Sequence, residues 1–121
     1  MTSLAGRVAG HRILFTLQAA NGEQVDLLLD TGFQGELALD AATLGRLAFQ
    51  GPMAVAPVEL GDGSSTDLFV YQGRIHWLDG QIDVNALLIH SPEGAMGLGL
   101  LRDVQLLVNT RTGHAEIQAA P

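Results

Sequence analysis

The sequence predicts an all-β domain. Apolar and polar residues alternate over short stretches, as they do along half-buried strands. Turn signals separate those stretches, among them Asn21-Gly22, Asp79-Gly80 and the run Gly61-Asp62-Gly63-Ser64-Ser65. Fifteen glycines against four prolines suit many tight turns between short strands. The 121 residues, 47% of them apolar, are enough for a single domain over 1–121 with one modest core.

Alternation begins within residues 4–19. Ile13, Phe15, Leu17 and Ala19 share one strand face, and Arg12, Thr16 and Gln18 the other. Asn21-Gly22 signals a two-residue hairpin with a type I′ turn. The returning strand, 23–30, puts Val25, Leu27 and Leu29 on one face and Leu28 and Asp30 on the other. It runs into Leu27-Leu28-Leu29-Asp30-Thr31-Gly32-Phe33. A carboxylate is thereby set at the buried end of an apolar run, where a charge is costly unless paired or hydrogen-bonded. Such a conflict between pattern and chemistry is where function is expected.

Residues 36–40 alternate again as a short strand, and Asp40 is placed to cap one or two helical turns over 41–47. Pro52 and Pro57 mark an irregular crossing. An extended segment from Val58 leads to the turn-rich tip 61–65, a second extended segment runs over 67–78, and 58–72 reads as a hairpin with a mobile tip. Asp79-Gly80 turns the chain into a strand over 81–89, and Ser91-Pro92-Glu93-Gly94 is loop. Ala95-Met96-Gly97-Leu98-Gly99-Leu100-Leu101 follows. Strands over 104–108 and 115–118, joined by a turn at 109–113, end the chain.

Composition narrows the function. The absence of cysteine excludes disulfides and thiolate metal sites. A net charge of −7, with all six basic residues scattered arginines, argues against nucleic acid or an anionic membrane as partner. No apolar run approaches the roughly 20 residues of a membrane span. No basic region followed by an apolar stretch opens the chain, so no signal peptide and a cytoplasmic location are expected. His11, His76, His90 and His114 lack ligand spacing, and neither a metal nor a cofactor is expected. Gly97-x-Gly99 is half of a dinucleotide fingerprint, without the third glycine or room for a βαβ unit. Ser64 and Ser65 lack the Gly-x-Ser-x-Gly context of a nucleophile. Trp77 reads as filling the core or the base of the hairpin.

Three features occur together: an apolar strand ending in Asp30-Thr31-Gly32, a glycine-rich hairpin in mid-chain, and Ala95-Met96-Gly97 followed by Leu100-Leu101. Asp-Thr-Gly alone occurs in many turns. In this conjunction the sequence, over about residues 10–118, resembles the retropepsin-like aspartic proteases, the clan of the retroviral proteases and many small bacterial members. The resemblance implies a closed, β-barrel-like subunit with a flap hairpin and one short C-terminal helix. It implies an aspartic endopeptidase with Asp30, Thr31 and Gly32 at the catalytic centre. It assigns an extended peptide or protein substrate to Phe33, Gly61, Asp62, Gly63, Ser64, Ser65 and Gly97.

Amide hydrolysis without a metal needs one group to take a proton from water and another to give one to the amide. Two carboxylates forced together cannot both ionise, so they share a proton and can serve in both roles. The chain has one Asp-Thr-Gly, and Asp103 lacks both the apolar run and the Thr-Gly. The second carboxylate must then come from a second copy, so a homodimer is expected. In homodimeric members the motif threonine bonds the partner's facing loop, a role the resemblance assigns to Thr31. The chain departs from the clan at Phe33, where others carry Ser, Thr or Ala. It departs again at Gln34, Gly35 and Leu98, where retroviral members carry an intersubunit ion-pair network. A non-catalytic dimerisation or peptide-binding module with this fold is the rival reading, and a hydrolase acting on a non-peptide ligand is a second one.

Overall fold

A computed structural model describes residues 3–59 and 61–121. Among them run ten strands: β1 (Ser3–Ala9), β2 (Arg12–Gln18), β3 (Gln24–Asp30), β4 (Leu37–Leu39), β5 (Gln50–Glu59), β6 (Ser65–Trp77), β7 (Gly80–Leu88), β8 (Ala95–Gly97), β9 (Val104–Asn109) and β10 (His114–Ala119). One six-residue helix, α1 (Ala41–Arg46), separates β4 from β5, and a 3-10 turn, Leu98–Leu100, follows β8. The fold is all-β, as the alternation predicts.

The strands form one sheet in the order β5-β6-β7-β4-β8-β3-β2-β1-β10-β9. Neighbours are antiparallel except β3–β8 and β4–β7. Those two parallel pairs set Asp30 opposite Gly97 and Leu37 opposite Ala86, which brings the ends of four strands together. The sheet also folds over on itself: Ala19 bridges to Ile75, and the Ala20 amide donates to the Arg74 carbonyl at 2.9 Å. The fold encloses Phe15, Leu17, Leu27, Leu39, Ile75, Val84, Met96 and Ile117, all fully buried. Full burial of such a side chain stabilises by about 1.5–3 kcal/mol. No buried polar or charged residue occurs among the described residues.

Several expectations are corrected. The sheet is not a closed barrel, because β5 and β9 remain edges. The crossing expected at Pro52 and Pro57 lies within strand β5, whose register with β6 shifts between Gln50 and Ala54, and the edge position of β5 explains how it holds both prolines. A proline cannot donate to a ladder and is tolerated at an edge. The expected C-terminal helix is only the 3-10 turn. The amides of Gly97, Leu98 and Gly99 donate across to the carbonyls of Glu36, Phe33 and Gly35 instead of back along a helix. Residues 4–19 divide into β1 and β2 at a turn where Gly10 has φ +65°.

The Asn21-Gly22 hairpin exists, with a different turn. The Gly22 amide donates to the Ala19 carbonyl at 2.9 Å, and the Ala19 amide to the Glu23 carbonyl at 2.8 Å. Only Gly22 has positive φ, which makes a three-residue loop with a glycine bulge in place of type I′. The Asp79-Gly80 turn is centred on Leu78 and Asp79, since Trp77 pairs with Gly80. The Asp40 cap forms as read: its Oδ1 accepts the Thr43 amide at 2.9 Å, and Leu44 and Leu47 are buried.

Candidate active site

The site is built on the turn that ends β3. The Phe33 amide donates to the Asp30 carbonyl at 3.1 Å and closes the turn. The Gly32 amide donates to Asp30 Oδ1 at 3.0 Å, so the carboxylate caps its own turn and is oriented by it. Asp30 is exposed, not at a buried strand end as the leucine run suggests. Leu27 is fully buried and Leu28 and Leu29 are half-buried, so β3 emerges from the core at its last residue.

The loop beyond Asp30 is laid on the chain after β8. Leu98 donates to the Phe33 carbonyl at 2.7 Å, Gly99 to that of Gly35 at 3.0 Å, and Gly97 to that of Glu36 at 2.9 Å. These three bonds join the two segments that the sequence singles out separately. Glu36 ties in a third element, because its Oε1 accepts the Asn85 amide of β7 at 2.7 Å.

Above this platform opens a cleft of about 1060 Å³. Asp30, Gly32 and Phe33 line its floor, Leu37, Val70 and Leu87 its apolar wall, and residues 56–59 with Gly61 the hairpin side. Glu36, Glu59 and Arg102 add charge to its lining. The β5–β6 hairpin runs from Gln50 to Trp77, longer than the expected 58–72. At its tip the Ser64 hydroxyl and amide donate to Asp62 Oδ1, at 2.5 and 2.9 Å. Those bonds, the hydroxyl's first, hold the Asp62 carboxyl below the usual carboxylate range.

Of the residues singled out in the sequence, Asp30, Gly32, Phe33 and Gly61 meet at the cleft. Thr31 is exposed beside it, outside the lining. Asp62, Gly63, Ser64 and Ser65 form the exposed tip beyond the lining. Gly97 is buried under the Asp30 loop and is also absent from the lining. Glu36, Asn85 and Arg102 were not anticipated. The period-two pattern places Asn85 and Leu87 on one face of β7, but it cannot say that this face meets Asp30.

No family model matches the chain. No curated protein matches it either. In structure it is similar to a retropepsin-like aspartic protease from Rickettsia conorii, with a TM-score of 0.68 over 98% of this chain and 93% of that one. The chain has a retropepsin-like fold. The two sequences are 10% identical, so the likeness is one of fold, and a fold does not by itself carry an activity. Within the retropepsin-like fold of this chain, the Asp30 carboxylate lines an open cleft together with residues of the β5–β6 hairpin. No group of three or more His, Cys, Asp or Glu is placed to hold a metal among the described residues. No helix among them is long and apolar enough to cross a membrane.

Proposed function

We propose that this chain is an aspartic endopeptidase that works as a homodimer, with one Asp30 from each copy at a shared centre. The observation that carries this reading is the Asp30 carboxylate, held by the Gly32 amide at the floor of a cleft in a retropepsin-like fold. One Asp30 is ionised and takes a proton from water as the water oxygen attacks the peptide carbonyl carbon. The other carries the shared proton and gives it to the carbonyl oxygen. Proton return to the amide nitrogen then lets the C–N bond break.

In this reading Thr31 bonds the partner's loop. Gly61, Asp62, Gly63, Ser64 and Ser65 close over an extended peptide, which adds to the hairpin by strand-like hydrogen bonds. Phe33 borders the bound peptide, and Gly97 supports the loop that carries it.

The test is cleavage of a peptide library by the wild-type chain and by Asp30→Asn, with sedimentation of both. Cleavage by the wild type alone, in a concentration range where it is dimeric, supports the proposal. Peptide binding without cleavage in both proteins supports a non-catalytic module. Cleavage by a strictly monomeric chain excludes a shared centre.

A further inference from the structure

The loop between Asp30 and Leu37 is wrapped around one of its own side chains. Phe33 is half-buried, and its ring leaves no room for a side chain at two glycines. A Cβ atom on Gly35 would stand 2.5 Å from the ring's Cζ and 2.7 Å from Cε1. A Cβ atom on Gly97 would stand 2.6 Å from Cδ2. Non-bonded carbons sit best at about 3.5–4.0 Å, so neither methyl fits beside the ring. The tip of the ring thus rests over Gly35 and one edge against Gly97. Gly97 is the partner of Asp30 across β3–β8, so the ring touches both the far side of the loop and the residue alongside the carboxylate.

Phe33 is the one large apolar residue between Asp30 and Leu37. Gly32 and Gly35 have the greatest backbone freedom of any residue type, and Thr31 and Gln34 are exposed. Nothing else within the loop fills its interior. Its hydrogen bonds from Gly32 to Asp30 Oδ1 and from Leu98 to the Phe33 carbonyl need the loop held in register.

We propose that Phe33 is a positioning residue for Asp30, with its ring as an internal brace and Gly35 and Gly97 as its two seats. The kinetic side of this rests on the proteolytic reading above. A side chain that only bordered the substrate would act on KM. A brace acts on kcat, because it fixes the carboxylate that does the chemistry.

The test compares Phe33→Leu, Phe33→Ala, Gly35→Ala and the double variant Phe33→Ala/Gly35→Ala. A displacement of about 1 Å costs on the order of 10²-fold in rate, so Phe33→Ala and Gly35→Ala should both lose that much kcat, Gly35→Ala with little change in KM and Phe33→Ala with a rise in KM besides, since its ring also lines the cleft. Phe33→Leu, which keeps an apolar filler, should retain most of kcat. The double variant should lose no more kcat than Phe33→Ala alone, because its added methyl enters space the ring has left.

Amide hydrogen exchange supplies a readout that needs no activity. Exchange at Gly32 and Leu98 should accelerate in Phe33→Ala and Gly35→Ala. Exchange at Val8, bonded to the Gly113 carbonyl on the far side of the sheet, should not. A change in KM alone, or unaltered exchange at Gly32 and Leu98, overturns the brace. If the wild type cleaves no peptide, the proteolytic reading falls and exchange alone decides the brace: faster at both amides supports it, unchanged overturns it.

Discussion

Asp30 and Gly97 stand opposite each other in the parallel pair β3–β8, and the backbone of the Asp30 loop lies directly on Gly97. A Cβ atom there would come within 2.5 Å of the Phe33 carbonyl oxygen and closer still to that of Gly35. Both are main-chain atoms that cannot swing aside. Glycine is required here by close approach and not by an unusual dihedral. Gly97→Ala must lift the loop from β8, and overpacking of this kind costs about 1–3 kcal/mol. The expected outcome is a lower urea midpoint together with lost cleavage. An unchanged midpoint would show that the loop has room to spare.

A second prediction concerns acid. Thr16 and Asp26 face each other across β2–β3, and the Thr16 hydroxyl donates to Asp26 Oδ1 at 2.5 Å. Arg7 Nη2 stands 3.4 Å from Oδ2. The Thr16 hydroxyl above all, assisted by Arg7 and opposed by slight burial, holds the Asp26 carboxyl below its ordinary 3.8. A depressed folded value means that the stabilisation is fully present above the unfolded value and is lost as pH falls through the folded one. Asp26 is more than half exposed, so screening limits the effect to roughly 0.2–1 kcal/mol, as for exposed pairs. Thr16→Val should therefore be less stable than the wild type at neutral pH, and the gap should narrow below about pH 4. Urea midpoints at pH 7 and pH 2.5 test this. A gap that widens toward acid contradicts the assigned hydrogen bond.

What the sequence made legible follows from the range of each interaction. Strand faces are local, so the alternation of Phe15, Leu17 and Ala19 correctly gives a buried face. The Asp40 cap is local too, and it forms. The turn after Asn21 was legible as a hairpin but not as a bulged loop, because only the φ of Gly22 decides between them. Pro52 and Pro57 read as a break because the sequence does not reveal that β5 is an edge. The exposure of Asp30, the seating of Phe33 and the role of Gly97 depend on β3 lying beside β8, more than sixty residues later in the chain. Residue patterns mark both segments as unusual, and only the tertiary pairing joins them.

The third prediction is dynamic. The hairpin tip, 61–65, is exposed throughout, and its bonds from Ser64 to Asp62 are confined to the tip. No core side chain anchors it. Amide exchange there should be among the fastest in the free protein and should slow when a peptide occupies the cleft that Gly61 lines. Slow exchange at 61–65 in the free protein, unaltered by a bound peptide, would deny the hairpin a closing role.

The last prediction separates chemistry from assembly. If two Asp30 side chains meet at a dimer axis, they cannot both stay ionised, so association at neutral pH must either take up the shared proton or bear the repulsion, and both oppose it. Asn has nearly the same size as Asp and keeps an acceptor for the Gly32 amide, which Asp30 Oδ1 now receives at 3.0 Å. It cannot serve as the base that takes a proton from water. Asp30→Asn should therefore abolish cleavage while leaving the dimer as tight as the wild type, or tighter, at pH 7. Cleavage and dissociation constant are to be measured on one preparation, so that misfolding is not mistaken for lost chemistry. Retained cleavage removes Asp30 from the reaction. Lost cleavage with a markedly weaker dimer means that the carboxylate holds the interface through donors the amide cannot satisfy, and the centre is then structural rather than hydrolytic.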